Sequence, residues 1–404
     1  MDWTGWIERF GEPAVLAVGG LLTGLAFGFF AQRSRFCLRA AVIEFWHGKF
    51  GDKLAVWLLA FSTAVVAVQL FTVVGWLDVS TARQLSSRGS LSGAAIGGLI
   101  FGVGMVMTRG CASRLLVLSA NGNLRALLSG LIFAVTAQAS LSGVLSPWRE
   151  ALSGLWVVDG GPARSLLALV GVGPNDGLAF GAVWLVTAGF FAYYSGWGVW
   201  KWLGGVGTGL AVALAWLTTY QVLAHSFEPV QIQGMTFSGP SAEWLMRVLS
   251  NPGDPWNFDL GLMPGVFLGS LIGALVGRDW KLEGFGGGYT MPRYIVGAVF
   301  MGFGSMLAGG CAVGAGMTGG AIFAVTAWVT LAGMWIGGGV ADRVTSSDVP
   351  PAATLGQQDH QVDEVEAEAA DQDVLAGRDG AEVEVTGVAG RQVGQPVLGR
   401  EGRE

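Results

Sequence analysis

Long uncharged stretches alternate with short polar breaks from Ala14 to Val340, and the lengths of those stretches set the reading. Roughly 18 apolar positions without charge suffice to cross a bilayer as one helix. Nine spans are predicted: Ala14 to Gln32, Leu54 to Leu77, Gly93 to Thr108, Leu124 to Val144, Gly177 to Tyr194, Trp202 to Leu223, Leu260 to Gly277, Ile295 to Gly309 and Gly319 to Val340. Three apolar pieces between them, Phe36 to Trp46, Cys111 to Ala120 and Ser238 to Leu249, are too short to cross and are predicted to be half-helices or re-entrant segments. Backbone that stops at that depth must be covered by protein or line a wet cavity. The expected fold class is an all-α integral membrane protein.

The pattern also repeats. GAAIGGLIFGVGMVMTRGCAS, ending near Cys111, resembles IVGAVFMGFGSMLAGGCAVG around Cys311, 200 residues further on. The same offset carries Cys37 to Phe237, in the polar stretch GMTFSGPSAEW that likewise follows a long apolar block. Repeat halves of about 14–144 and 202–340 are therefore expected, joined by a connecting span at 177–194. With four spans in each half and one between, the second half starts from the opposite side of the membrane. That is the inverted-repeat plan of many secondary transporters, whose substrate sites lie near the midplane where broken helices meet. Glycines at every fourth position, as at Gly24 and Gly28, Gly98 and Gly102, and Gly265 through Gly277, predict close packing between helices.

Composition agrees with a bilayer: 52% of residues are hydrophobic and only 13% charged, against about 25% charged in soluble domains. The formal charge of −6 is unevenly placed. Residues 345–404 hold 13 Asp/Glu and 4 Arg/Lys, net −9, which leaves +3 on residues 1–344. Two regions are expected: a transmembrane transporter domain, 1–344, and an acidic, aromatic-poor, disordered tail, 345–404. Tryptophans such as Trp76, Trp148, Trp200 and Trp280 suit the interfaces. The start, MDWTGWIERFGEP, is acidic where a signal peptide is basic, so the first apolar block is expected to remain as a span. An outside N-terminus places Arg33, Arg35, Arg39, Lys49, Lys53, Arg109, Arg114, Arg278, Lys281 and Arg293 at the cytoplasmic side, together with the tail.

The candidate chemistry lies in the three cysteines. Cys37, Cys111 and Cys311 are far apart with no C-x-x-C pair, so neither a thioredoxin-like motif nor cysteine-spaced zinc ligation is expected, and no cofactor or metal is assigned. Each follows a long apolar span and sits at a polar break: QRSRFCLRA, MTRGCASR and LAGGCAVGAG. A single cysteine in an apolar helix is ordinarily just a small buried residue; all three at the same kind of break is a pattern. A neutral thiol is a weak donor and a polarizable partner, able to touch a soft sulfur atom without trapping it. Apolar, partly dry surroundings keep a thiol neutral, so attraction of an anion falls to the flanking Arg35, Arg39, Arg109 and Arg114, or to free N–H groups at a half-helix start near Cys311. The bland alternative for these arginines is positive-inside topology with snorkelling side chains. Glu44 and His47 read first as a solvated interfacial pair, with a proton relay as the sharper alternative. GGCAVGAG and GFGGG follow no strand–helix pattern, so nucleotide binding is set aside and no nucleic-acid partner is expected.

QRSRFC, GCAS followed by GNL at Gly122 to Leu124, and GFGSMLAGGCAVGAG resemble the three cysteine motifs of the YeeE/YedE family of sulfur transporters, over about Gly19 to Gly338. The resemblance implies thiosulfate uptake through the bacterial inner membrane by an hourglass-shaped helical protein with inverted symmetry. It makes Cys37, Cys111 and Cys311 the pathway cysteines, relaying the ion by transient S–H to sulfur contacts rather than by covalent catalysis. It also implies a TusA-like sulfur-carrier protein as cytoplasmic partner. Members linked to selenium or other sulfur compounds leave the substrate open within that class. The competing reading is a membrane-embedded sulfurtransferase or thiol-redox enzyme; against it, neither Cys111 nor Cys311 has a His, Asp or Glu within several residues.

Overall fold

The structure, a computed structural model, describes residues 3–194, 197–226, 232–250, 253, 255–284 and 291–347. The expected tail lies outside the described residues from 348 onward. In chain order the helices are α1 (Trp3–Phe10), α2 (Glu12–Arg33), α3 (Leu38–Trp46), α4 (Asp52–Val73), α5 (Arg83–Ser86), α6 (Leu91–Met107), α7 (Ala112–Ala120) and α8 (Leu124–Ser142). They continue as α9 (Ser146–Ser153), α10 (Leu166–Val170), α11 (Pro174–Tyr194), α12 (Val199–Ala224), α13 (Ser238–Leu249), α14 (Phe258–Gly277), α15 (Met291–Ala308) and α16 (Val325–Ser347). A π-helical segment, Ala312–Gly319, lies between the last two. Strand is confined, among the described residues, to a two-residue antiparallel pair, β1 (Gly89–Ser90) with β2 (Val157–Val158), and two isolated bridges.

This is an all-α, multi-pass integral membrane protein. Among the described residues eight helical stretches are long and apolar enough to cross a membrane, and three of them run through a break into a short helix. The ninth expected span falls on the 23-residue α16, which is not among those eight. It begins at Val325 rather than Gly319, because Gly319 still belongs to the π-helical segment and the chain then turns through Phe323 in the left-handed conformation (φ 54°). The half-helix expected at Ser238 to Leu249 is α13.

Helix length alone does not say which helices line the core, but burial does. The apolar window of α4 is 78% buried and that of α11 only 22%, so α4 is central and α11 faces outward. Glycine governs how closely the others approach. On α2, a Cβ added at Gly20, Gly24 or Gly28 would strike backbone of α14, and on α14 one at Gly261, Gly265 or Gly269 would strike backbone of α2. A second seam joins α6 to α15 and α16: Gly97 and Gly304 oppose one another, as do Gly104 and Gly297, while Gly98 and Gly102 meet the carbonyls of Thr330 and Met334. With no hydrophobic drive between helices in lipid, such backbone-to-backbone packing is a main source of association.

One end of the bundle gathers the termini of α2, α4, α12, α14, α15 and α16. Lys201 pairs there with Asp52 at 2.8 Å and Arg33 with Asp279 at 3.7 Å. Arg33 also stacks over Trp200, and Arg343 over Trp46. At the same end, residues 281–283 hydrogen-bond the loop at 121–124, with Glu283 N–H donating to Gly122 O and Leu124 N–H to Glu283 O, each at 3.0 Å.

Candidate functional site

Helices α2, α6 and α15 end in the same way. The second residue before each cysteine adopts a left-handed backbone: Arg35 (φ 52°), Arg109 (φ 58°) and Gly309 (φ 78°). The next N–H then reaches back five residues, from Phe36 to Ala31 O (3.0 Å), Gly110 to Met105 O (3.1 Å) and Gly310 to Ser305 O (2.9 Å). This is the Schellman closure, which stops a helix and turns the chain sharply. The cysteine follows at once in extended conformation and serves as N-cap of the next short helix: Cys37 for α3, Cys111 for α7 and Cys311 for the π-helical segment. Two of the three left-handed positions carry arginine, where glycine would be unstrained.

The offset position, Phe237, is likewise an N-cap, of α13, but without a left-handed turn before it. Its ring lies 5.4 Å from that of Phe27, which in turn meets Phe36 beside Cys37 at 6.3 Å. The fourth break is thus packed with aromatic side chains next to the first.

All three cysteines are free thiols and buried, with Cys37 keeping 9% exposure and Cys111 and Cys311 essentially none. Sequence separation hid one contact: the Cys37 and Cys111 thiols lie close enough to act on one another. Cys111 Sγ also lies 3.3 Å from Ser113 Oγ. Neither cysteine side chain makes a capping hydrogen bond of ordinary length, yet the sulfur of Cys37 lies near the N–H of Ala40 and that of Cys111 near the N–H of Arg114. Cys311 shares a buried cluster with Cys111, and its segment packs against α7.

A model of the sulphur transport family matches residues 33–340, which include every one of these junctions. The chain belongs to that family. It is 27% identical over 332 residues to the thiosulfate transporter TsuA of Spirochaeta thermophila, a match covering 77% of this chain and 93% of the relative. It is 25% identical over 355 residues to the thiosulfate transporter TsuA of Escherichia coli, covering 80% and 92% respectively.

Within this family member the four singled-out arginines have separate fates. Arg35 is exposed. Arg114 donates to Gln32 Oε1 at 3.4 Å and stands close enough to Cys37 to act on it electrostatically. Arg39 lies within electrostatic reach of Cys37, Arg109 and Arg293 of α15, and Arg293 within reach of Arg109. Glu44 and His47 do not work as a pair: Glu44 accepts from the N–H of Leu54 at 2.8 Å, while His47 meets Asp342 of α16 at 2.9 Å. Sequence reasoning missed Gln32, Asp342 and the meeting of Arg293 with the other arginines. A signal existed for two of them, since Gln32 is a polar residue closing an apolar span and Asp342 is an acidic one near the end of another.

Thr108 Oγ1 donates to Gly110 O at 2.9 Å and lies 3.7 Å from the Met301 sulfur. The π-helical segment is held by Thr318 Oγ1 donating to Met235 O (2.6 Å), and the turn after it by Gln69 Nε2 donating to Ala321 O (2.7 Å). A cavity of about 450 Å³ between α3, α4, α11 and α16 is lined by Phe45, Trp57, Phe61, Trp328, Trp335 and other apolar groups, so it suits hydrocarbon and not an anion. Among the described residues no three His, Cys, Asp or Glu converge to hold a metal ion.

Proposed function

We propose that the protein takes up thiosulfate across the bacterial inner membrane, handing it past Cys37, Cys111 and Cys311 through transient S–H to sulfur contacts. The observation that carries the reading is the junction built three times, a Schellman stop followed by a buried cysteine N-cap. A half-helix start presents N–H groups and the positive end of a helix dipole to an anion, and the thiol presents a polarizable donor to its soft end. Thiosulfate has both ends, a terminal sulfur and a sulfonate. Family membership and the two relatives named as thiosulfate transporters support the same substrate.

The remaining parts of the proposal are architectural. The halves, about 14–144 and 202–340, form an inverted repeat around an hourglass-shaped route, with 177–194 connecting them and the acidic residues 345–404 as a separate tail. The N-terminus faces outward and the basic end of the bundle faces the cytoplasm, where a TusA-like sulfur carrier receives the cargo.

One observation favours a second reading: neighbouring thiols on Cys37 and Cys111 are also the arrangement of a thiol-redox enzyme or sulfurtransferase. Against it, the acid–base residues nearest Cys37 in sequence are engaged elsewhere, Glu44 with Leu54 and His47 with Asp342. Uptake of labelled thiosulfate into proteoliposomes decides. Cys37→Ala, Cys111→Ala and Cys311→Ala should each lose most uptake, while serine at each position, which keeps a donor but loses the soft acceptor, should leave a partial rate. Wild-type uptake in all three alanine variants rejects the relay, and a protein persulfide by mass spectrometry without net uptake establishes the enzyme.

A further inference from the structure

We propose that Arg39, Arg109 and Arg293 form an oxyanion-binding station beside the Cys37–Cys111 thiol pair, holding the sulfonate end of the cargo, with Asp342 as its resident counter-charge. The proposal rests on the transport reading and adds a site that contains no cysteine.

The three guanidiniums come from three elements: the first turn of α3, the left-handed cap of α6 and the first turn of α15. They lie within electrostatic reach of one another, and Arg39 and Arg293 lie within the same reach of the Asp342 carboxylate. Asp342 is buried and is held by His47 at 2.9 Å. No ion pair among the described residues joins any of the three arginines to a carboxylate, whereas the neighbouring Arg33 and Lys201 have theirs. The Nε atoms of Arg39 and Arg293 are buried and have no hydrogen-bond partner among the described residues. The other groups facing the trio are the Cys37 thiol near Arg39 and the Tyr294 hydroxyl near Arg293, the latter already accepting from Arg125 at 3.1 Å.

Three gathered cations, two of them with an unspent buried donor, and one nearby carboxylate carry an excess of positive charge in a half-buried place. Such an excess repels itself unless an anion completes it. Guanidinium forks match the planar spread of oxygens on a sulfonate or sulfate better than ammonium groups do. Position fits as well: Arg39 follows Cys37 by two residues and Arg109 precedes Cys111 by two, which keeps two of the trio beside the thiol pair. Asp342 offsets part of the charge, which keeps the anion exchangeable rather than trapped.

The test uses the full chain, with sulfate as the probe that has the oxyanion but no terminal sulfur. In wild-type proteoliposomes sulfate should inhibit thiosulfate uptake competitively, and in detergent it should raise the thermal unfolding midpoint. Arg293→Gln and Arg39→Gln should raise the thiosulfate KM tenfold or more and abolish both sulfate effects, while Arg293→Lys keeps part of them. Asp342→Asn should lower KM and slow turnover, an outcome that loss of folding does not mimic. Lys49→Gln, an exposed cation at the same end, should behave as wild type. Unchanged KM and sulfate inhibition in both glutamine variants overturns the station, as does an Asp342→Asn variant with raised KM. A sulfate-dependent midpoint shift that needs Arg293, in a protein that moves no thiosulfate, keeps the station and rejects the transport reading.

Discussion

Arg109 carries two demands that one substitution separates. Its backbone is left-handed (φ 58°), a conformation that costs a residue with a Cβ about 1–2 kcal/mol. Its side chain sits among the cations beside the thiol pair. Arg109→Gly removes the backbone cost, and the added freedom of the unfolded chain offsets about 0.4–1 kcal/mol of the gain. The net is a stabilisation of up to about 1.6 kcal/mol, which for a chain of this size raises the midpoint by roughly 2 °C. Function should move the other way. Losing one hydrogen bond from a charged group to the anion costs about 1.5–3 kcal/mol, or about 10- to 150-fold in uptake efficiency at 1.4 kcal/mol per decade. Two companions isolate the terms. Arg35→Gly has the same backbone geometry (φ 52°) but an exposed side chain, so it should match the stability gain with near-normal uptake. Gly309→Ala should lose about 1 kcal/mol purely through backbone strain, because an added Cβ there meets nothing within 4 Å. Measured by tryptophan fluorescence on heating and by labelled uptake, a lower midpoint for Arg109→Gly refutes the Schellman reading, and unchanged uptake refutes the role of its charge.

Two other perturbations test the packing and the thiol geometry. Gly24→Val should cost about 3 kcal/mol or more by overpacking, since a Cβ there meets Leu262 O at 2.5 Å and Val266 N at 3.0 Å, whereas Gly130→Ala meets nothing within 4 Å and should gain about 1 kcal/mol of helix propensity; equal midpoints for the two variants would mean that α2 and α14 do not touch. Diamide should join Cys37 to Cys111 and stop uptake until a thiol reductant is added, seen as two fewer alkylatable cysteines with Cys311 still reactive after denaturation; failure to cross-link would place those two thiols too far apart for the contact described.

Long uncharged runs made the spans legible because lipid imposes a single rule on them, and the short runs at Leu38–Trp46, Ala112–Ala120 and Ser238–Leu249 were legible for the same reason. The π-helical segment was not, since AVGAGMTGGAIF is as apolar as a span and hydropathy is blind to hydrogen-bond register. Phe323 gave no warning of its left-handed turn, because that signal is ordinarily a glycine. The short helices α1, α5, α9 and α10 were missed, being too short for a hydropathy window. At the site, the cysteine breaks and their arginines stood out in the sequence. The approach of Cys37 to Cys111 could not, because it depends on how α2 and α6 end in space. Arg293 read only as a topology charge, and it takes the packing of α15 against α6 to bring it near Arg109.

The choice of cap residue is the step that ties folding to function here. Several helix starts in this chain carry an oxygen-bearing cap: Ser90 accepts from Gly93 N–H at 2.7 Å, Asn123 from Ala126 at 2.9 Å and Asn257 from Leu260 at 2.8 Å, whereas α2, α4, α12 and α13 start at Gly11, Gly51, Gly198 and Phe237 with no side-chain cap. An oxygen-bearing cap of this kind is worth about 1 kcal/mol. At the three Schellman junctions the cap is cysteine, which is not among the favoured residues, and none of the three makes a capping hydrogen bond. The chain therefore forgoes capping stability at the three buried helix starts where exposed N–H groups cost most. Stability does not account for that choice, since serine fits the same volume with a better acceptor. What cysteine offers instead is a polarizable thiol that claims the first-turn N–H groups only weakly, at Ala40 beside Cys37 and at Arg114 beside Cys111, and the proposed passage of a soft-ended anion would use both.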